Sequence, residues 1–278
     1  MESGLYIVAT PIGNLGDISA RALEVLREAD LIAAEDTRHS QRLLQHFAIE
    51  TPLMAYHDHS DDRAVARILK QLEAGGAVAL VSDAGTPLIS DPGFRLVRQV
   101  QDAGFTVVPI PGACAAIAGL SASGLPTDRF LFEGFLPAKS GARAERILSL
   151  ASESATLVFY EAPHRLLATL QALSHGMGPE REAVMARELS KAFETIRRGT
   201  LADLNDFVAS DSNQQRGEVV LMVRGASGSD MEIDPRLLRL LESLASEMPG
   251  KRAAALLAEY SGERKNVLYQ YLLDRRED

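Results

Sequence analysis

Short apolar runs alternate with helix-spaced segments through the first part of the chain. Residues 5–9, 31–34 and 77–81 are apolar throughout and long enough only for buried strands. Between the first two, Ile18, Ala22, Val25, Leu26 and Ala29 recur on one face at helical spacing. Residues 41–47, 64–74 and 94–103 read the same way, and Gly75-Gly76 stops the second of these. Residues 52–56 run extended into His57-Asp58-His59. A further strand, 106–110, ends in Pro111-Gly112-Ala113-Cys114 and gives way to a helix of small residues over 115–124. Strand and helix alternating at such intervals predict an α/β fold with a mostly parallel sheet and right-handed crossovers.

Past residue 118 the pattern changes. Aromatic-rich strands are expected over 129–135 and 156–160, and further strands over 184–189, 194–199 and 218–223. Helices over 143–151, 164–172 and 201–209 separate them, so a second α/β domain with more antiparallel pairing is expected. Ala226-Ser227-Gly228-Ser229-Asp230 has linker composition. The tail from 235 is helical, with helices over 252–260 and 263–273 around a Ser261-Gly262 turn. The expected division is 1–117, 118–224 and 225–278.

Three strand ends in the first half release loops rich in glycine and proline: 10–16, 82–87 and 109–113. If their strands are parallel neighbours, the loops meet at one sheet edge, where open α/β sheets bind ligands. A wall of backbone N–H and C=O groups suits a nucleoside-sized molecule with many polar edges. The first loop has only Gly13 and Gly16, so it is not a dinucleotide fingerprint, and no phosphate-binding P-loop sequence occurs. Asp83 is the one carboxylate in the second loop, and Gly85 and Pro87 act there through the backbone.

Charge narrows the picture. The net charge of −9 excludes a protein that grips nucleic acid by bulk charge, so any such contact needs a local basic site. Lys139-Ser140-Gly141-Ala142-Arg143, read as a loop and continued by Arg146, is the leading candidate, with Arg165 and Arg197-Arg198 next. The single cysteine, Cys114, allows no internal disulfide and fits a reducing cytosol. The first residues read as a strand, and the longest uncharged run, 107–126, is broken by Pro109, Pro111, Gly112 and Gly119. The expectation is a cytoplasmic protein with no membrane span.

Glu35, Asp36, Arg38, His57, Asp58 and His59 crowd the remaining loops and are the candidates for acid–base work. Asp36 or Thr37 also suits a helix N-cap, and capping and chemistry are compatible. His57-x-His59 has the spacing of a metal pair, but no third ligand motif accompanies it, and no metal is expected.

The stretches VATPIGNLGD, AAEDTRHS, HDHS, LVSDAGTPLISDPG, PIPGACAAIAGLSASGLPTDRF, FEGFLPAKSGAR, FYEAPHRL and ARELSKAFETIRRG occur in this order over about residues 4–224. Together they resemble the ribosomal RNA small-subunit methyltransferase I family. The resemblance implies a two-lobed tetrapyrrole-methylase-like fold, a mostly parallel N-terminal sheet, a mixed C-terminal sheet and a small helical tail. It implies S-adenosylmethionine in the cleft and 2′-O-methylation of a cytidine ribose in the decoding centre of 16S ribosomal RNA. The substrate is then the small ribosomal subunit and the enzyme a homodimer. Carried onto this sequence, the cofactor contacts are Pro11, Leu15, Asp83, Gly85, Leu88, Cys114, Ala115, Tyr160, Glu161, Ala186 and Arg187. Beside the resemblance, the residues' own chemistry makes Asp36 and Arg38, with Glu35, the candidates to position or activate the hydroxyl, with no single base assigned. The local charge makes Lys139, Arg143, Arg146 and Arg165 the candidates for RNA contact. The competing readings are a methyltransferase of the same fold acting on a small molecule, and a noncatalytic RNA- or ribosome-binding protein.

Overall fold

The structure, a computed structural model, describes residues 1–56, 62–227, 235–261, 263 and 265–275. His57, Asp58 and His59 lie outside the described residues. The first sheet is formed by β1 (Gly4–Val8), β2 (Leu31–Ala34), β3 (Leu53–Ala55), β4 (Ala77–Val81) and β5 (Val107–Ile110). Its order is β3-β2-β4-β1-β5 and every pairing is parallel. Both faces are covered, which is why the strands read as unbroken apolar runs. Tyr6, Val8, Ala77 and Ala79 face α1 (Ala20–Glu28) and α2 (Thr37–His46). Leu5, Val78 and Leu80 face α3 (Asp62–Glu73) and α4 (Phe94–Asp102).

Two helix starts differ from the periodicity because of caps. The Ser19 side chain accepts from the Ala22 N–H, so α1 begins at Ala20, and residues 15–17 form a separate 3-10 turn. The Asp36 carboxylate accepts from the Arg38 N–H at 2.8 Å and starts α2 at Thr37, four residues before the apolar spacing begins.

Helix α5 (Ala115–Ser123) follows β5 but packs on the second sheet. That sheet contains β6 (Phe130–Phe135), β7 (Thr156–Glu161), β8 (Glu182–Arg187), β9 (Thr195–Thr200) and β10 (Val219–Val223), in the order β6-β7-β10-β8-β9. Only β6 and β7 are parallel; the other pairings are antiparallel. Ala116 and Leu120 of α5 bury themselves against Val158, Val184, Ala186 and Met222. The opposite face is covered by α6 (Ser140–Leu150), α7 (Leu166–Met177) and α8 (Leu201–Ser210) around Phe159, Leu170 and Leu221. A division between 117 and 118 falls inside α5.

The register of β6 against β7 slips between Phe132 and Gly134, and Gly134 has φ +69°. Without that slip, Phe132 and Phe135 would point to opposite faces. With it, both rings meet Tyr160, at centroid distances of 5.0 and 5.7 Å. The tail folds on itself: α9 (Pro235–Glu247), α10 (Gly250–Ser261) and α11 (Lys265–Asp274) share a core of Leu241, Ala253, Leu257 and Leu268. No helix among the described residues is long and apolar enough to cross a membrane.

Candidate active site

Strands β4, β1 and β5 are adjacent and parallel, so the three loops leave the sheet side by side. Hydrogen bonds stitch them together. The Thr10 N–H donates to the Gly85 carbonyl at 2.8 Å, and the Gly85 N–H returns to the Thr10 carbonyl at 3.0 Å. The Thr86 hydroxyl donates to the Ala113 carbonyl at 2.9 Å. Gly85 has φ +81°, a conformation that other residues hold only with strain.

These loops form one wall of a crevice of about 360 Å³, through Ile12, Ala84, Gly85, Thr86, Cys114 and Ala115. The second sheet supplies the other wall, through Phe135, Tyr160, Glu161, Ala186, Leu189 and Val220. The volume lies within the range of small-molecule sites, and the lining is mostly apolar with a few convergent polar groups. The residues present therefore fit a nucleoside-bearing cofactor held by backbone and small side chains.

Of the expected cofactor contacts, Gly85, Cys114, Ala115, Tyr160, Glu161 and Ala186 line this crevice. Pro11, Leu15, Asp83, Leu88 and Arg187 are not in its lining. Leu15 is exposed on the 3-10 turn. Leu88, at φ +73°, packs on the core beneath α4. Asp83 accepts from the Asp36 N–H at 3.1 Å and ties the β2 loop to the β4 loop. Arg187 is buried, and its guanidinium donates to the carbonyls of Arg216 and Phe193 and to the Thr195 hydroxyl. These bonds pin the loop after β8.

Tyr160 bridges the two walls. Its phenol oxygen accepts from the Ala116 N–H at 3.1 Å, at the first turn of α5. Burial, then the neighbouring Cys114 and Asp91, push its pKa well up, so it stays protonated. The Glu161 carboxylate is buried and fully engaged: it accepts from the Ala162 N–H at 2.8 Å and the Thr169 hydroxyl at 2.5 Å, and pairs with Arg165 at 3.2 Å.

Asp91 also lines the crevice; it stands before Pro92 and Gly93 in a turn-forming sequence that carries no mark of a site residue. Burial raises its pKa, with Asp83 adding to the shift and a hydrogen bond from Ser82 opposing it. Asp36 behaves oppositely. The Arg38 N–H and guanidinium hold its carboxyl below the ordinary range. Arg38 itself is highly exposed and reaches Asp36 at 3.4 Å.

The loop after β8 reaches across to the first lobe. The Ser190 hydroxyl bonds the Asp17 carboxylate, and the Lys191 methylenes lie over Gly13, where a Cβ would fall 2.4 Å from Lys191 Cγ. The Lys191 ammonium is 2.9 Å from Glu188 and 3.0 Å from Glu218.

The basic loop expected over 139–143 is not a loop. Ser140 begins α6, because residues 140–150 bury Arg143, Ile147 and Leu150 on one face. Lys139 is exposed. Arg143 is buried, while Arg146 makes two bonds to Glu133 at 2.5 and 2.7 Å. Arg165 pairs with Glu161 and donates to the Leu136 carbonyl. Among the described residues no group of three His, Cys, Asp or Glu side chains could hold a metal ion.

Comparison with known proteins gives a consistent picture. The family described as tetrapyrrole (corrin/porphyrin) methylases matches residues 4–205, and the RsmI C-terminal HTH domain matches residues 231–276. A protein of Pseudomonas aeruginosa named ribosomal RNA small subunit methyltransferase I is 60% identical over 99% of both chains. Its namesake in Escherichia coli O157:H7 is 52% identical over 99% of this chain and 96% of its own. The crystal structure of uroporphyrin-III-C-methyltransferase from Thermus thermophilus shares the fold, with a TM-score of 0.57 at 21% identity, over 80% of this chain and 94% of that one.

Proposed function

The chain belongs to the ribosomal RNA small subunit methyltransferase I family, and from that premise we propose that it methylates the 2′-hydroxyl of a cytidine ribose in the decoding centre of 16S ribosomal RNA. The cofactor is S-adenosylmethionine. The observation that carries the reading is the crevice itself: three loops bonded edge to edge, closed by Tyr160 from the other lobe.

The bound sulfonium supplies an already activated methyl group, which leaves the protein to place, align and deprotonate the acceptor. Gly85, its own N–H and C=O bonded to Thr10, lets that wall come close to the cofactor; backbone groups at Thr86, Cys114 and Ala115 would hold it from that side, and Tyr160 and Ala186 from the other. Asp83 ties the β2 loop to the loop that carries Gly85, and this link supports a role for Glu35, Asp36 and Arg38 near the acceptor. A carboxylate held below its ordinary range is a poor proton acceptor, so Asp36 and Arg38 position the ribose. Asp91, raised and inside the crevice, is the better acceptor for the hydroxyl proton. The enzyme acts in the cytoplasm on the small subunit, as a homodimer.

Mass mapping of 16S ribosomal RNA from cells with and without the gene tests the reading. One ribose methyl in the decoding centre should disappear with the gene and return with it. An unchanged map, or a lost methyl on a base, overturns the proposal.

A further inference from the structure

In a chain of net charge −9, helix α2 carries no carboxylate. Its ionisable residues are Arg38, His39, Arg42 and His46, and all four are exposed. At about 100° per residue they fall within an arc of about 100°. Ser40 and Leu44 are buried on the other side of the helix. Arg42 has no ion-pair partner among the described residues. The carboxylate just before the helix, Asp36, is already engaged as its cap, and Glu50 lies beyond its last turn. Arg27 of α1 donates to the Phe47 carbonyl at 3.4 Å and adds a cation at that end.

This face begins beside the crevice. The Asp36 N–H bonds Asp83, two residues before Gly85 in the lining. Among the cations singled out from sequence, Arg143 is buried and Arg146, Arg165 and Arg198 are paired with carboxylates, while Lys139 is exposed next to the start of α6, away from this helix in the chain.

We propose that the outer face of α2 docks the phosphate backbone of the RNA strand whose ribose enters the crevice. The inference rests on the ribosomal RNA reading above. Arg38 to His46 spans about 12 Å along the helix, long enough to meet more than one phosphate of a single strand. A guanidinium grips a phosphate with two parallel N–H bonds, and an imidazole offers an N–H whether charged or not. The contact is independent of sequence; it sets the strand's path and leaves selection of the nucleotide to the crevice.

The test uses the full-length protein and a 16S ribosomal RNA fragment spanning the decoding centre, with affinity measured over a salt series. The double variant Arg42→Glu, His46→Glu should bind about tenfold more weakly, with a log–log salt slope shallower by about 1. Its S-adenosylmethionine affinity by calorimetry should match the parent. Arg98→Glu is the control: Arg98 sits on α4, on the opposite side of the first sheet, and should change RNA affinity less than about twofold for a charge outside the contact. If the double variant loses cofactor affinity, Arg42→Gln is read instead, with an expected fall in slope of about 0.7. Parental affinity and slope in a variant overturn the α2 assignment alone. A parent protein that binds no ribosomal RNA overturns the underlying reading, and this inference with it.

Discussion

The two walls of the crevice are built on different principles. The first lobe presents backbone and small side chains from loops at the ends of a wholly parallel sheet. The second presents large and ionisable side chains, Tyr160, Phe135 and Glu161, from a mixed sheet. A wall made of backbone tolerates no added bulk, and one made of buried polar side chains tolerates no lost partner. The same kind of substitution should therefore do different things on the two sides.

The largest effect is expected on the second wall. Glu161→Ala leaves Arg165 and Thr169 without their buried partner and should destabilise the protein by about 3–5 kcal/mol in denaturant unfolding. A loss below about 1 kcal/mol would place this pair among ordinary surface ion pairs and erase the contrast. On the first wall, Gly85→Val must hold φ near +81° with a branched side chain and strains the bonds to Thr10. It should cost about 1–2 kcal/mol of stability, and cofactor affinity in calorimetry should fall more than about tenfold.

Tyr160→Phe sharpens the comparison, since it removes the hydroxyl and keeps the ring. The Ala116 N–H then loses its acceptor, a loss of about 1 kcal/mol, and cofactor affinity should drop a few-fold. The smallest effect is expected at Asp91. Its raised pKa means that the folded protein holds this proton more tightly than the unfolded chain does. That favours folding at low pH and is lost as pH rises through the folded-state value. Asp91→Asn should therefore raise the melting temperature at neutral pH by about 1–2 °C, and the gain should vanish in acid. Single-turnover methyl transfer by the same variant should slow if Asp91 takes the proton.

Sequence made the first lobe legible because its strands are buried on both faces and its loops announce themselves with glycine and proline. The convergence of three loops followed from β4, β1 and β5 being neighbours, which the alternation of strand and helix predicts only as a class. Side-chain pairing was not legible. Lys139 to Arg143 reads as a loop because Ser140-Gly141 are turn formers, yet the helix expected from 143 already begins at Ser140 and its Arg143 turns inward. Asp91 went unnoticed because burial, not identity, sets its chemistry. The apolar spacing of α2 placed its start too late, since a capping carboxylate needs no hydrophobic signal.

The path of the chain from β5 into α5 has a mechanical consequence. Residues 111–114 leave the last strand of one sheet and enter a helix anchored in the other, and Cys114 and Ala115 line the crevice. Hinge and cradle are thus the same short span of backbone. Any rocking of one half of the molecule against the other would pass directly through backbone that lines the cleft, so the width of the cleft and the shape of that wall would change together.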